Sequence, residues 1–340
     1  MTRPGPAQRL QAGWQRRGVG ARLLWPVSLV YRFIWSLRLG LYRFGVLRTE
    51  RLPVPVVVVG NVIAGGAGKT PTVIALVEHL ASRGIAVGVV SRGYGRTPPE
   101  NDGEHGLEVE DGSDPRAVGD EPLLIRRRTG VPVFVGRRRA ATARRLLAAH
   151  PQTRLLVCDD GLQHLALARD VEVCVFDDRG IGNGWLLPAG PLREPWPRAV
   201  DLVLHTGLSP AFAGFRGQRR LADLARRSDG ATVALASLGS QRLAAVAGIA
   251  QPEAFFEMLR ARGLVLEETH ALPDHADFAS GLPPIAADTI VLCTEKDAAK
   301  LWRHRPDALA VPLRFELPAD FTARFDRLVD ARLSSASRGR

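Results

Sequence analysis

The segment GNVIAGGAGKTP, residues 60–71, combines residue types that bind phosphate groups. It follows the apolar run VPVVVV and precedes TVIALVEHLASRG, whose apolar spacing predicts an amphipathic helix. A strand that enters a glycine-rich turn before a helix directs several backbone N–H groups at one point, where the helix dipole favours an anion. Lys69 would reach the terminal phosphates of a nucleotide, and Thr70 would ligate Mg²⁺. The backbone around the phosphates would come from Gly65, Gly66 and Gly68.

This loop departs in one place from the strict pattern GxxxxGK[ST]. Ile63 occupies the position of the first glycine, and Gly65 and Gly66 supply flexibility instead. A glycine-rich turn containing GKT by chance is the alternative. The strand before the loop and the helix after it favour the phosphate-binding interpretation.

A second candidate feature is RLLVCDDGLQH, in which an apolar strand ends at Asp159 and Asp160. Carboxylates at the carboxyl end of a parallel strand lie near a phosphate loop at the same edge of the sheet. Asp-Asp-Gly is also ordinary turn chemistry. Because the glycine-rich loop with Lys69 occurs earlier in the chain, we favour a role for Asp159 and Asp160 in ordering a metal ion or water.

Other polar clusters follow predicted strands or open predicted helices. Taken singly, each has an ordinary explanation: acids such as Asp120 and Glu121 cap helices, His275 could be a solvated loop histidine, and Arg193-Glu194 could be a surface pair. These clusters are SRGYGR (91–96), VGDEP (118–122), NGWLLPAGPLREP (183–195), LPDHADF (272–278) and TEKDAAK (294–300).

Alternating strand and helix patterns from residue 54 onward predict an α/β fold with a mostly parallel sheet covered on both faces. After about residue 228 the pattern becomes looser and indicates a smaller α/β lobe. We therefore expect a helical segment over 1–50, a P-loop NTPase-like core over 51–228, a C-terminal lobe over 229–330 and a disordered tail over 331–340.

The segment ARLLWPVSLVYRFIWSLRLGLYRFGVLR, residues 21–48, is rich in aromatic residues and Leu and is punctuated by Arg. Its longest uncharged run, Leu23 to Tyr31, is too short to span a bilayer as a helix. A helix lying in the membrane interface fits this pattern, and a helix packed on the protein's own core is the alternative.

Composition limits the class of protein. The chain has 340 residues and a formal net charge of +11, which favours an anionic partner such as a phosphorylated substrate, a membrane surface or nucleic acid. A GC-rich genome would produce the same arginine bias. Cys158, Cys174 and Cys293 follow or end apolar runs without a CxxC pair, which indicates buried thiols in a reducing compartment. The opening residues show no signal-peptide pattern.

The order of eight motifs, namely GNVIAGGAGKTP, DDGLQH, AGIAQPEAFF and the five clusters above, resembles that of the tetraacyldisaccharide 4′-kinase family from about residue 20 to about residue 300. The resemblance implies ATP- and Mg²⁺-dependent phosphorylation of tetraacyldisaccharide 1-phosphate to lipid IVA, in lipid A biosynthesis. It also implies a peripheral protein at the cytoplasmic face of the bacterial inner membrane. No nucleic acid or obligate protein partner is expected.

The resemblance also assigns roles to residues. Asp120 matches the general base of the family, and His275 matches the histidine paired with it. The nucleotide-binding loop would use Lys69 and Thr70. Metal-side carboxylates would be Glu121, Asp159 and Asp160, and the substrate or catalytic motifs contain Tyr94, Arg193 and Glu194. The family usually has Ser or Thr where Ile63 stands, and often where Ala67 stands.

Two other classes of protein compete with a kinase. TEKD at 294–297 suggests a GTPase switch protein, but its Lys296 and Asp297 are adjacent, whereas the guanine-specificity pattern [NT]KxD separates them. The net charge suggests a nucleic-acid-binding ATPase, but no recognisable aromatic and basic module supports it.

Overall fold

The computed structural model describes residues 13–97, 106–274, 276, 278, 284–286 and 288–338. These residues form two lobes, each with its own sheet. The predicted α/β fold with mostly parallel sheets is confirmed.

The first lobe contains an eight-stranded sheet in the order β3-β4-β2-β5-β1-β6-β7-β8. Every neighbouring pair is parallel except β3 and β4. Helices cover both faces, so the central strands are apolar along their whole length. The strands are β1 (Val56–Gly60), β2 (Val87–Ser91), β3 (Leu107–Glu108), β4 (Val133–Val135), β5 (Leu155–Asp159), β6 (Val171–Phe176), β7 (Leu202–His205) and β8 (Phe215–Arg216).

The helices of this lobe follow the strands in the alternation that the sequence predicted. They bring the amino ends of two helices to the carboxyl edge of the sheet, where the polar clusters lie. They are α1 (Val19–Arg43), α2 (Lys69–Ser82), α3 (Pro115–Val118), α4 (Asp120–Thr129) and α5 (Arg139–Ala149).

The second lobe contains a six-stranded sheet in the order β11-β10-β15-β14-β12-β13, and a two-stranded ribbon of β9 and β16 lies between the lobes. Strand β10 lies before the predicted boundary at residue 228, yet it pairs with β15 of the second sheet. The elements are β9 (Gln218–Leu221), β10 (Leu224–Arg226), β11 (Thr232–Ala234), β12 (Leu243–Ala247), α6 (Pro252–Ala261), β13 (Leu266–Ala271), β14 (Ile290–Thr294), α7 (Glu295–Leu301), β15 (Leu309–Val311) and β16 (Leu313–Glu316).

The last helix, α8 (Ala319–Arg338), returns to the first lobe. Its residues Phe321, Phe325 and Val329 recur at helical spacing and enter the same hydrophobic core as the buried face of α2. Polar contacts between α2 and α8 include His79 Nε2 with Asp326 Oδ1 at 2.8 Å. The helix extends through 331–338, where the sequence had predicted the start of a disordered tail, because this apolar face secures it.

Helix α1 contacts the first lobe through a narrow strip. Ser28 and Trp35 are its buried residues. Ser28 Oγ donates a hydrogen bond to the Leu186 carbonyl at 2.8 Å, and Tyr31 Oη donates to the Arg193 carbonyl at 2.7 Å. Among the described residues, no helix combines the length and the apolar character needed to cross a membrane.

Candidate active site

The phosphate loop joins β1 to α2. Gly65 and Gly68 have φ values of 93° and 81°, in the left-handed region that glycine enters without strain. Ile63 and Ala67 point into the core and are 1% and 0% exposed. Ile63 also bridges to Leu192 of the 183–195 loop. Apolar residues at these two positions therefore pack the loop against the protein interior.

Three side chains, two of them from other parts of the first lobe, bind the carbonyl groups of this loop. Arg179 Nη2 donates to the Gly66 carbonyl at 2.6 Å, and Thr206 Oγ1 donates to the Ala67 carbonyl at 3.0 Å. Asn61 Nδ2 donates to the Gly65 carbonyl at 3.2 Å. Because these carbonyls bond to the protein, the loop is shaped before a ligand arrives, which favours tight anion binding.

Lys69 lies beside the predicted carboxylate pair. Its Nζ is 3.7 Å from Asp160 Oδ1 and 3.4 Å from Asn61 Oδ1. Arg193 Nη1 lies 3.0 Å from the same Asp160 oxygen. Burial would raise the pKa of Asp160, but the two cations outweigh it and the pKa lies below the usual range. Asp160 therefore stays ionised and orients both cations.

Asp159 has a different environment. Ser91 Oγ donates to its Oδ2 at 2.9 Å, whereas its buried Oδ1 has no hydrogen-bond partner among the described residues. Burial, with the charges of Glu121 and Asp160, raises the pKa of Asp159 to about 7. A buried carboxylate oxygen without a donor, next to further carboxylates, suits a bound cation.

The donor set fits Mg²⁺ rather than a cage of protein ligands. Within the described ranges, no three His, Cys, Asp or Glu side chains converge closely enough to hold a metal by themselves. Mg²⁺ usually takes one or two carboxylates together with water and substrate phosphates. Asp159, close enough to Glu121 and Asp160 to feel their charges, offers that partial set.

Asp120 opens helix α4 after Gly119, whose φ of 95° lets the chain turn sharply. Its carboxylate accepts a hydrogen bond from Lys300 Nζ of α7 at 2.7 Å, and its side chain is 5% exposed. The same Lys300 ammonium lies 3.4 Å from the Ala276 carbonyl of the 272–278 loop. The second lobe thus contributes directly to the surroundings of Asp120. His275 lies outside the described residues.

The remaining predicted residues, Arg193, Glu194 and Tyr94, have three different surroundings. Arg193 faces the site through Asp160, as described above. Glu194 is buried and accepts a hydrogen bond from Gln163 Nε2 at 2.7 Å, and it also pairs with Arg198 at 3.0 Å. These contacts give Glu194 the surroundings of a residue that fixes the loop. Tyr94 is 72% exposed, on the loop that follows β2.

A cleft of about 200 Å³ separates the phosphate loop from the second lobe. Its walls combine Lys69 and Thr70 with apolar side chains of the second lobe, including Ile249, Phe255 and Met258. Across it, Arg128 Nη1 pairs with Glu295 Oε2 at 2.7 Å. A narrow cleft with one apolar wall and one phosphate-binding wall suits a nucleotide.

The TEKD segment has a structural role in the second lobe. Thr294 caps α7, and its hydroxyl donates to Asp297 Oδ2 at 2.6 Å. The same carboxylate oxygen accepts the Gly248 N–H at 2.9 Å. Asp297 is therefore occupied inside the lobe, which argues against its use in reading a guanine base.

Sequence reasoning missed several residues that shape the site. Lys300 belongs to the TEKDAAK cluster, but nothing in the chain marks it as the partner of Asp120. Asn61 directly follows β1 and could have been considered with the loop. Arg179 and Thr206 carry no local signal, since they come from separate strand ends more than a hundred residues away from the loop that they contact.

Comparison with known proteins agrees with this geometry. A family model described as tetraacyldisaccharide-1-P 4′-kinase matches residues 20–332. A tetraacyldisaccharide 4′-kinase of Acidovorax sp. (strain JS42) is 58% identical over 338 residues, covering 98% of this chain and 97% of the relative. One of Polaromonas naphthalenivorans (strain CJ2) is 57% identical, with 93% of each chain covered.

A solved structure is also similar. The crystal structure of LpxK from Aquifex aeolicus in complex with ATP matches with a TM-score of 0.76 and 28% identity, covering 91% of this chain and 99% of that one. The predicted resemblance is confirmed. With a phosphate loop, a carboxylate pair and a second lobe arranged around one cleft, the chain belongs to the tetraacyldisaccharide-1-P 4′-kinase family.

Proposed function

We infer that this chain uses ATP to phosphorylate the 4′-hydroxyl of a tetraacyldisaccharide 1-phosphate, giving lipid IVA. The observation that carries this function is the position of Lys69 beside the Asp159-Asp160 pair, in a cleft of a chain that belongs to this family. The chain is an ATP-dependent kinase of lipid A biosynthesis.

The first lobe supplies charge for phosphoryl transfer, a reaction that depends on positioning and neutralisation. Lys69 exchanges its Asp160 contact for the phosphates of ATP. Thr70, Asp159, Glu121 and Asp160 are the residues that would hold Mg²⁺. When bound, Mg²⁺ neutralises charge on the phosphates. The raised pKa of Asp159 supports this assignment, because a buried carboxylate of this kind becomes a ligand once a cation offsets its charge.

Asp120 accepts the proton of the sugar hydroxyl as that oxygen bonds to the γ-phosphorus of ATP and the bond from this phosphorus to the departing ADP oxygen breaks. Two observations support this role: the carboxylate lies at the amino end of α4, and Lys300 joins it to the 272–278 loop that contains His275 in sequence. His275 would orient Asp120 and share its proton. Arg193 and Tyr94 would contact the lipid substrate.

The direct test is incubation of the purified protein with ATP, Mg²⁺ and tetraacyldisaccharide 1-phosphate, followed by mass spectrometry. We expect one added phosphate on the distal sugar. The Lys69→Ala variant should form at least about 10²-fold less product, because it loses a charge contact to the reacting phosphates. Hydrolysis of ATP with an unmodified lipid would contradict the proposal.

We also propose that α1 places the protein on the cytoplasmic face of the inner membrane as a peripheral protein. Twelve of the sixteen exposed large hydrophobic side chains of the described residues lie between Val19 and Leu47, which makes this segment a candidate lipid contact. No acidic residue precedes Glu50 in the chain, so nothing there repels anionic lipid.

Substitution on the exposed face tests this membrane proposal without removing the buried contacts of α1. Phe33→Asp combined with Ile34→Asp should reduce sedimentation with anionic vesicles by about tenfold or more. Each change removes an apolar side chain that the lipid would bury and adds a negative charge. Leu208→Asp, a change at an equally exposed position outside α1, is the matched control. Equal sedimentation of both variants and the wild type would exclude α1 as the anchor.

A further inference from the structure

Arg219 is a cation at the phosphate loop to which no predicted motif assigns a role. It lies on β9, the strand between the two lobes, and lines the same cleft as Lys69 and Thr70. Its Nη2 is 2.8 Å from the position that a Cβ atom on Gly68 would take. The guanidinium therefore adjoins the residue that immediately precedes helix α2.

The hydrogen bonds of Arg219 leave much of its capacity unused. Nη2 donates to Thr206 Oγ1 at 2.7 Å, while the buried Nε has no partner among the described residues. Within that part of the chain, no carboxylate forms an ion pair with Arg219. Burial lowers its pKa, partly offset by the charges of Asp177 and Asp178. A desolvated guanidinium without a carboxylate gains more from an anionic ligand than an exposed one does.

The phosphate loop would gain from an additional hydrogen-bond donor. Pro71 occupies the first turn of α2 and has no N–H, so this helix end offers one amide fewer to a phosphate. Lys69 Nζ is directed towards Asp160, on the side of the sheet where the reaction is proposed. Arg219 instead lines the cleft with apolar residues of the second lobe, such as Phe255 and Met258.

We propose that Arg219 binds the non-transferred phosphates of the nucleotide, between an apolar site for the base and the lysine at the terminal phosphate. The proposal rests on the nucleotide site inferred above and adds to it a residue from the strand that joins the lobes. A planar guanidinium can form two parallel hydrogen bonds to phosphate oxygens, which a backbone amide cannot.

The experiment compares Arg219→Gln with Arg220→Gln. Arg220 is the next residue of β9, and successive strand residues face opposite ways. It pairs with Glu316 at 3.3 Å and is exposed, so its loss is a matched change of charge. We expect Arg219→Gln to weaken ADP binding by about tenfold or more, the cost of one or two charge-assisted hydrogen bonds. Arg220→Gln should bind ADP like the wild type.

Two further measurements separate phosphate binding from a structural role. Adenosine, measured as a competitor, should bind Arg219→Gln as it binds the wild type, because it has no phosphate. Arg219→Lys keeps a positive charge beside Gly68, so it should recover part of the ADP affinity that Arg219→Gln loses. Equal weakening of ADP and adenosine, or no recovery in Arg219→Lys, would show that Arg219 acts only by shaping the cleft.

Neither measurement uses the lipid, so the inference can fail while the kinase activity stands. Unchanged ADP affinity in Arg219→Gln would overturn it outright. A wild-type protein that binds no ADP would overturn the proposed nucleotide site together with this inference. Thermal unfolding of each variant establishes that the comparison is made between folded proteins.

Discussion

The phosphate loop and the Asp120 region lie at the same edge of the first sheet but are built differently. The loop is bound by Asn61, Arg179 and Thr206, all within the first lobe. Asp120 also starts in the first lobe, yet its observed ion-pair partner, Lys300, belongs to the second. The order of the phosphate loop should therefore depend mainly on one lobe, whereas the chemical step should depend on both.

The strongest test of this contrast is Asp120→Asn. The amide cannot accept the hydroxyl proton, so kcat should fall by about 10²- to 10⁴-fold. The KM for ATP should change little, since the phosphate loop is untouched. Asp111→Asn, at an exposed carboxylate that pairs with Arg126 near the opposite end of α4, serves as the control. Near-normal turnover in Asp120→Asn would remove Asp120 from the mechanism.

Lys300→Met should have the next largest effect. It removes the ammonium that contacts Asp120 and the Ala276 carbonyl, so kcat should fall by about 10- to 100-fold with ATP affinity retained. Arg303→Gln, at an exposed position just beyond α7, is the matched control. A higher KM for ATP with an unchanged kcat in Lys300→Met would contradict the contrast between the phosphate loop and the Asp120 region.

Arg179→Gln tests the other half of the comparison. It removes the contact to the Gly66 carbonyl and the ion pair with Asp177 at 2.8 Å. The loop becomes less ordered before ATP binds, so the KM for ATP should rise by about tenfold while kcat changes less. Steady-state kinetics with varied ATP at saturating lipid measures both. A fall in kcat alone would place Arg179 with the reacting groups instead.

The smallest predicted effect is on the pH dependence of stability, which reports on the titration of Asp159 in the first lobe. Its pKa of about 7 lies above the ordinary value, so the folded state binds the proton more tightly. The stability from this group is present at acidic pH and is lost as the pH rises towards and through 7. Without nucleotide, the Tm should therefore fall between pH 5 and pH 8.

Asp159→Asn removes that titration, so its Tm should fall by a few degrees less than that of the wild type over the same range. Differential scanning calorimetry at several pH values measures the difference between the two slopes. Parallel slopes would mean that Asp159 is ionised in the folded protein throughout. Addition of ATP and Mg²⁺ should reduce the difference between the two proteins, since the proposed cation stabilises the ionised carboxylate.

The two regions also differ in how far the sequence could predict them. The phosphate loop, Asp159-Asp160 and Asp120 lie in short segments whose local pattern fixes strand, turn and helix, so they could be placed at one sheet edge. Lys300 lies 180 residues from Asp120, and Arg219 lies beyond the first sheet altogether. No local pattern encodes such contacts, because they depend on how two separately folded surfaces meet.

Packing explains the other differences between the sequence predictions and the structure. Ile63 looked like a defect in a phosphate-binding motif, but its side chain faces the core, where an apolar residue is favoured. Glu194 looked like a substrate-side residue, but burial and two polar partners occupy it. Strand β10 joins the second sheet through its pairing with β15, and sheet pairing across 84 residues is invisible to periodicity.

The return of α8 to the first lobe has a consequence for biosynthesis. Phe321, Phe325 and Val329 complete a core whose other buried members, apart from Phe315, precede residue 220. The ribosome must therefore synthesise the strands of the second sheet, which lie between these two parts of the chain, before that core can close. We expect the nascent second lobe to become compact first, and the nucleotide-binding lobe to mature only after α8 has been synthesised.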